Sequence, residues 1–309
     1  MRDDKKRLMA KAAYLYYVEN RTQEEIAREL SVYRTTISRM LQQARELGIV
    51  EVHVHHFDKA LFDLETSIKQ HYGLKELIIV PDGQETDIAQ EAAYYLQKII
   101  QPHDVVGLAW GSTLAEMIGK LDMVRKTDTT FVPLVGGPSS VNVQYHVNAI
   151  VYDMARHFHG KSIFINASVV QESKKLRDGI MKSGYFQELV QYWEKVNIAL
   201  VGIGGPLSSK KSQWRDLLTE KDREELRLQE AIGDCCCHFF NRDGKVIKGD
   251  LYDRTISIGL EKLRNVPHAV GIAQSKKKAR AIVGLLTGKY INTLVTDEET
   301  AREIWRLTK

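Results

Sequence analysis

The sequence predicts two domains. An all-α, winged helix-turn-helix domain occupies residues 1–56, and an α/β domain with a mainly parallel sheet occupies residues 57–309. Three observations lead there. A chain of 309 residues, 43% of them apolar, is long enough for about two cores. Residues 22–41 carry the apolar spacing of two short helices that cross steeply. From residue 77 onward, short β-branched runs alternate with helical stretches, the pattern of a parallel sheet covered by helices.

The first element is a helix over residues 6–18, with Leu8, Ala12, Leu15 and Tyr16 on one face. Thr22 followed by Glu25 is a capping box that starts the next helix. Counting from Gln23, the residues Ile26, Ala27, Leu30, Val32, Ile37 and Met40 fall where the two helices touch, and Ala27 must be small to let them approach. Ser31 and Val32 make the turn, with Ser31 at a position where many such motifs carry Gly. The outward residues of the second helix are Arg34, Thr35, Thr36, Ser38 and Arg39, and no carboxylate lies between Leu30 and Glu46.

Guanidinium forks and hydroxyls without carboxylates are what a helix needs in the DNA major groove. Thr22 and Gln23 open the first helix, whose N–H groups can face a phosphate, and they complete the expected DNA-contacting set. The alternative is a helical hairpin with a solvated basic face. Gly48 ends the recognition helix, and the alternation over residues 49–54 predicts a strand forming one side of a wing.

A linking helix is expected over residues 58–72, stopped by Gly73. Strands follow at 77–80, 105–109, 131–135, 162–165, 198–203, 269–272 and 293–296, alternating with helices such as 88–100, 111–121, 146–158 and 276–287. The three cysteines, Cys235 to Cys237, run into His238, Phe239 and Phe240 and read as one buried strand. Neighbours on a strand point to opposite faces, so they do not converge on a metal, and no metal or cofactor is expected.

In open parallel sheets ligands bind beyond the carboxyl ends of strands. Four loops fit. Residues 105–113 run from a strand through Trp110 and Gly111 into Ser112 and Thr113, a small hydroxyl-bearing turn suited to an anion. Residues 133–140, with Gly136 and Gly137, repeat that logic. Residues 201–206 resemble part of a dinucleotide fingerprint but lack its third Gly, and Pro206 makes them a tight turn instead. Asp234 follows Gly233 and can accept from sugar hydroxyls or simply serve a turn. Lys276, Lys277 and Lys278 open a late helix against its dipole, which calls for an anionic ligand or for solvent.

The net charge of +4 is too small to identify a nucleic-acid binder, so the local pattern carries that reading. No apolar run reaches 18 residues and the first residues lack a signal-peptide core, so a cytoplasmic protein without membrane attachment is expected. His146, His157 and His159 lie on or near a helix without a clear partner, and no catalytic residue is assigned.

Taken together, residues 33–39, 107–114, 133–137, Gly233-Asp234 and 292–298 resemble the SorC family of bacterial sugar-responsive transcription regulators, nearly end to end. The resemblance implies an effector domain like sugar-phosphate isomerases and deaminases, and control of a carbohydrate operon through double-stranded operator DNA. It implies a phosphorylated sugar held around Gly111, Ser112, Thr113, Gly136 and Gly137, with Asp234 reading the sugar and Lys278 reaching its charged end. It also implies a homo-oligomer, dimer or tetramer. Two positions depart from the family: Gln274-Ser275 stand where Gly-Gly is common, and Ser112 where Arg is frequent. A regulator answering to a free sugar or polyol is the alternative, and an isomerase or deaminase with an appended DNA module is a third reading.

Overall fold

A computed structural model describes residues 3–52, 58–83, 86–122, 127–138, 145–208 and 213–309. The chain forms two compact units, Met1–Asp58 and Lys59–Lys309.

The first unit holds α1 (Asp3–Tyr17), α2 (Gln23–Glu29) and α3 (Arg34–Glu46). Their core is Met9, Ala12, Ala13, Leu15, Ile26, Ala27, Ile37, Met40, Leu41 and Ala44; Leu30 and Val32 pack at its margin, and on α1 Met9 and Ala13 are buried where Leu8 and Tyr16, read as core-facing, are only partly so. The capping box is present: Glu25 N–H donates to Thr22 Oγ1 at 3.3 Å, and Thr22 N–H donates to the Glu25 carboxylate at 2.9 Å. Ser31 takes φ 52° between α2 and α3, the left-handed turn for which glycine is customary. Gly48 ends α3 at φ 67°. Beyond it, residues 49–52 form no strand, because Ile49 and Val50 send their N–H groups back to Ala44 O, at 2.8 and 3.1 Å. The rest of the expected wing strand and the end of the domain, residues 53–56, lie outside the described residues.

The second unit begins with α4 (Lys59–Tyr72), β1 (Glu76–Val80), α5 (Ile88–Ile99), β2 (Val105–Leu108), α6 (Ser112–Ile118), β3 (Thr130–Pro133), α7 (Val147–His157) and β4 (Lys161–Ser162). It continues through α8 (Lys174–Lys182), α9 (Gly184–Trp193), β5 (Ile198–Gly204), α10 (Glu220–Leu228), β6 (Gly233–Cys235), β7 (His238–Phe240), α11 (Asp250–Asp253) and α12 (Leu260–Leu263). It closes with β8 (His268–Ile272), α13 (Ala279–Thr287), β9 (Thr293–Asp297) and α14 (Glu298–Thr308). The strands pair in the order β1-β9-β8-β5-β2-β3-β4, every pair parallel, while β6 pairs antiparallel with β5 and β7. Ile198, Ala199, Leu200 and Val201 of β5 are all buried, as expected of a strand covered on both faces.

Two expectations are corrected. The strand at 162–165 is only Lys161–Ser162, because the backbone of Ile165 bonds the Asn148 side chain at 3.0 Å in both directions instead of a neighbouring strand. The cysteine run is a hairpin, not one strand. Cys236 and Cys237 take φ 48° and 59° between β6 and β7, the two-residue reversal that follows strand twist, and a turn usually given to Asn-Gly here sits buried. A uniformly apolar run carries no mark of such a reversal.

Behind the hairpin, Arg254 Nη2 donates to both oxygens of Asp222 at 2.6 and 2.7 Å, and its Nε donates to Asp250 at 2.7 Å. Asp222 is 2% exposed. Burial alone would raise its carboxyl pKa, but the bonds from Arg254 and Thr219 outweigh that and hold it low. A depressed carboxyl contributes stability above its unfolded value that is lost as pH falls through the folded one. Removing one partner of a buried pair leaves the other charge uncompensated. Asp222→Ala is therefore expected to lower the stability of this unit by about 3 kcal/mol in urea unfolding of the full chain. A loss below about 1 kcal/mol would show that the pair adds little.

Candidate functional site

The predicted DNA-contacting residues of α3 lie on its outer side. Arg34, Thr35, Ser38 and Arg39 are exposed along α3, Thr36 is half-buried, and Ile37 and Met40 point inward. Thr22 is exposed and Gln23 half-buried at the start of α2. Helical spacing divides α3 in this way, with the core residues at positions 37, 40, 41 and 44.

In the second unit the strand order reverses between β5 and β2: the chain leaves β2 toward β3 and β4, and leaves β5 toward β8 and β9. A crevice outside the carboxyl ends of strands is expected at such a reversal. Gly111, Ser112 and Thr113 follow β2, Gly136 and Gly137 follow β3, and Lys278 follows β8. Asp234 pairs with Gly204 at the end of β5. The fold therefore brings all seven predicted residues to one edge of the sheet.

The two glycine loops differ in what they offer. Gly111 takes φ 131°, a Cβ there would meet nothing within 4 Å, and Ser112 beside it is exposed. Space therefore remains next to the turn at Gly111. Gly136 N–H donates to Ile256 O and Gly137 N–H to Ala167 O, both at 2.9 Å. A Cβ on Gly136 would lie 2.6 Å from the Val169 Cα, and one on Gly137 would lie 2.5 Å from His146 Nε2. These two residues are glycine because protein presses on them, and their N–H groups are already used. Ser139 and Ser140 of this loop lie outside the described residues.

Asp234 is buried, and Arg215 Nη2 donates to its Oδ1 at 2.6 Å. The same guanidinium donates to Gly205 O and Pro206 O at 2.6 Å, and it lies 5.5 Å from the Phe239 ring centre. Gly204 has no room for a side chain, since a Cβ would sit 2.1 Å from Asp234 Oδ1. Trp110 meets Trp214 edge to face at 6.4 Å, and Trp214 packs on Phe239 at 5.6 Å. The buried Nε1 of Trp110 and Nε of Arg215 have no partner among the described residues.

Arg215, which bonds Asp234, Trp110, which follows β2, and His146, which packs on Gly137, were not assigned as site residues from the sequence. Trp110 lies inside a motif that was read, and His146 opens the helix read over residues 146–158. Nothing in the sequence around Arg215 marks it.

Lys278 lies along the end of β5, its Cγ 3.3 Å from where a Gly205 Cβ would be, whereas Lys276 and Lys277 are exposed. Just before it, Ser275 takes φ 110°, a conformation that L side chains rarely adopt. Its N–H donates to Thr300 Oγ1 at 2.9 Å, and its carbonyl accepts from Lys278 N–H at 2.8 Å. Serine here is held in a glycine conformation by bonds on both sides.

Comparison with known proteins agrees with this architecture. The family model described as "Putative sugar-binding domain" matches residues 58–306. The sorbitol operon regulator of Klebsiella pneumoniae is 34% identical over 96% of both chains. The deoxyribonucleoside regulator of Bacillus subtilis is 29% identical over 97% of this chain and 98% of its own. The crystal structure of the full-length Klebsiella regulator SorC superposes with a TM-score of 0.78, covering 99% of this chain and 100% of that one. The family model and these relatives thus make the chain a transcription regulator with a sugar-binding domain. The chain belongs to the SorC family. Among the described residues, no helix is long and apolar enough to cross a membrane.

The strain at Ser275 gives a direct expectation. Ser275→Gly relieves the left-handed penalty and gives back part of it as added freedom of the unfolded chain, for a net gain of about 1 kcal/mol. The melting temperature of the full chain reads it, and a fall in that temperature would mean that the serine side chain contributes more than its strain costs.

Proposed function

We propose that this chain is a DNA-binding regulator of a carbohydrate uptake or catabolic operon, controlled by a phosphorylated sugar. Residues 1–56 read operator DNA through α3, and residues 57–309 bind the effector and assemble a homo-oligomer, dimer or tetramer, in the cytoplasm. A single short recognition helix gains affinity when symmetry presents several copies to matching half-sites.

One observation carries the effector reading. At the strand-order reversal, the open turn of Gly111, Ser112 and Thr113 faces the same sheet edge as the buried Asp234–Arg215 pair and Lys278. Hydroxyls and a lysine suit a phosphate, and a carboxylate suits sugar hydroxyls. A second reading, a free sugar or polyol effector, is favoured by the engaged N–H groups of Gly136 and Gly137 and by Ser112 in place of arginine, which leave fewer donors for an anion. In either case the ligand acts only through a difference in affinity between two states of the regulator.

For DNA, duplexes selected from a random library by the full chain supply the probe. Arg39→Ala is expected to weaken binding by about 10- to 100-fold, as for a lost guanidinium contact. Unchanged affinity and an unchanged salt dependence would remove α3 from the interface. For the effector, melting is followed with sorbitol 6-phosphate, fructose 6-phosphate, deoxyribose 5-phosphate and their free sugars. A ligand at about 100 times its Kd adds roughly 2.7 kcal/mol. A rise with one phosphate and none with its free sugar is the expected result, and the reverse would select the second reading.

A further inference from the structure

Tyr33 is the most exposed large apolar side chain among the described residues, at 84%, and it stands where the recognition helix begins. Exposed apolar residues scattered singly are ordinary on a protein surface. The place of this one is not ordinary. Tyr33 is the N-cap residue of α3, with φ −74° and ψ 147°, and its side chain makes no capping bond. Ser, Thr, Asp or Asn there would satisfy a first-turn N–H, as Thr22 does at the start of α2. The chain therefore gives up a cap and exposes a ring to water at one position, and neither serves the stability of α3.

The backbone nevertheless holds this residue firmly. Val32 N–H donates to Ala27 O at 3.0 Å at the end of α2, and Tyr33 O accepts from Thr36 N–H at 2.8 Å and from Ile37 N–H at 3.2 Å at the start of α3. Ile26, Ala27 and Ile37 are buried in the core of the unit, so the Tyr33 backbone is fixed between two packed helices. Its ring makes no hydrogen bond, ring contact or cation contact with a described residue.

The neighbouring residues narrow what such a ring can meet. Arg34, Thr35, Ser38 and Arg39 are exposed forks and hydroxyls, suited to guanine edges and phosphates. Tyr33 adds a large apolar surface to that set. Residues at the start of a recognition helix reach base edges, and the apolar group displayed in the major groove is the C5-methyl of thymine. A ring laid on that methyl removes apolar area from water on both partners.

We propose that Tyr33 is a base-reading residue whose ring packs on the C5-methyl group of a thymine in the operator. The inference rests on the DNA-binding reading above and deepens it by matching one side chain to one base. The missing cap then follows from function, since the position is occupied for the groove at the expense of the helix.

The test uses the full chain and a duplex that it selects from a random library. Each thymine of the duplex is replaced in turn by deoxyuridine, which removes only the methyl, and affinity is measured for the parent, Tyr33→Ala, Tyr33→Phe and Tyr33→Ser. In the parent, replacement at one position of the half-site should weaken binding by about fourfold, the worth of one buried methyl. Tyr33→Ala should bind the thymine duplex about tenfold more weakly and should no longer distinguish thymine from deoxyuridine at that position. Tyr33→Phe should keep both the affinity and the discrimination. Tyr33→Ser, which restores a cap, should raise the melting temperature while losing the discrimination, a pairing that a structural role for the ring would not give. The inference is overturned by a parent indifferent to every methyl, by Tyr33→Ala binding as tightly as the parent, or by a fall in the melting temperature of Tyr33→Ser. Tyr33→Phe as weak as Tyr33→Ala also overturns it, because the contact would then belong to the hydroxyl. Arg39→Ala keeps the two failures apart: if it weakens binding while one of these results appears, α3 still reads DNA and only the role of Tyr33 falls. A parent that selects no duplex overturns both.

Discussion

The second unit depends on one constraint, the parallel pairing of β5 between β2 and β8. Val106 to Leu108 lie opposite Ile198 to Leu200, and Ile198 to Gly202 lie opposite His268 to Ile272. Because these strands run the same way, their carboxyl ends emerge at one edge. Because the chain turns to opposite sides after β2 and after β5, this edge is where a ligand crevice is expected in an open parallel sheet. At the centre of the sheet, β5 is apolar and buried from Ile198 to Val201, as in a strand covered on both faces. A change that broke this register would scatter the site before it touched any of its side chains.

Close packing at glycines then decides what the crevice presents. Gly204 gives up its side-chain volume to the Asp234 carboxylate, and Gly137 gives it to His146. Asp234 in turn is not a lone acceptor, since Arg215 ties it to the carbonyls of Gly205 and Pro206. A buried carboxylate would be expensive alone, and the guanidinium offsets that cost while anchoring the turn after β5. Sites of this kind are built from mutual exclusion as much as from attraction: each glycine is small because a particular polar group occupies the space beside it.

In the proposed reading, the two units divide the labour of a SorC-family regulator in chemical terms. The first has a small helical core whose exposed helix carries arginines and hydroxyls with no carboxylate among them. The second has a large parallel sheet with polar groups at one edge. Regulation requires that occupancy of the second alter the free energy of states that differ in DNA affinity, and by linkage DNA must alter effector affinity by the same factor.

The sequence by itself determined the helix-turn-helix, the parallel α/β class and the loops that end at the crevice. These are written in periodicity: Ile26, Ala27, Ile37 and Met40 repeat at helical spacing, and apolar β-branched runs alternate with helices, so local chemistry and burial agree. Only the tertiary structure decided that the cysteine run reverses at Cys236 and Cys237, since a buried turn shows the same apolar residues as a buried strand. It also decided that Gly136 and Gly137 serve packing, that Arg215 partners Asp234, and that His146 stands over Gly137. Those contacts join segments far apart in the chain, and no local pattern records which residue will press on which glycine once the strands have paired.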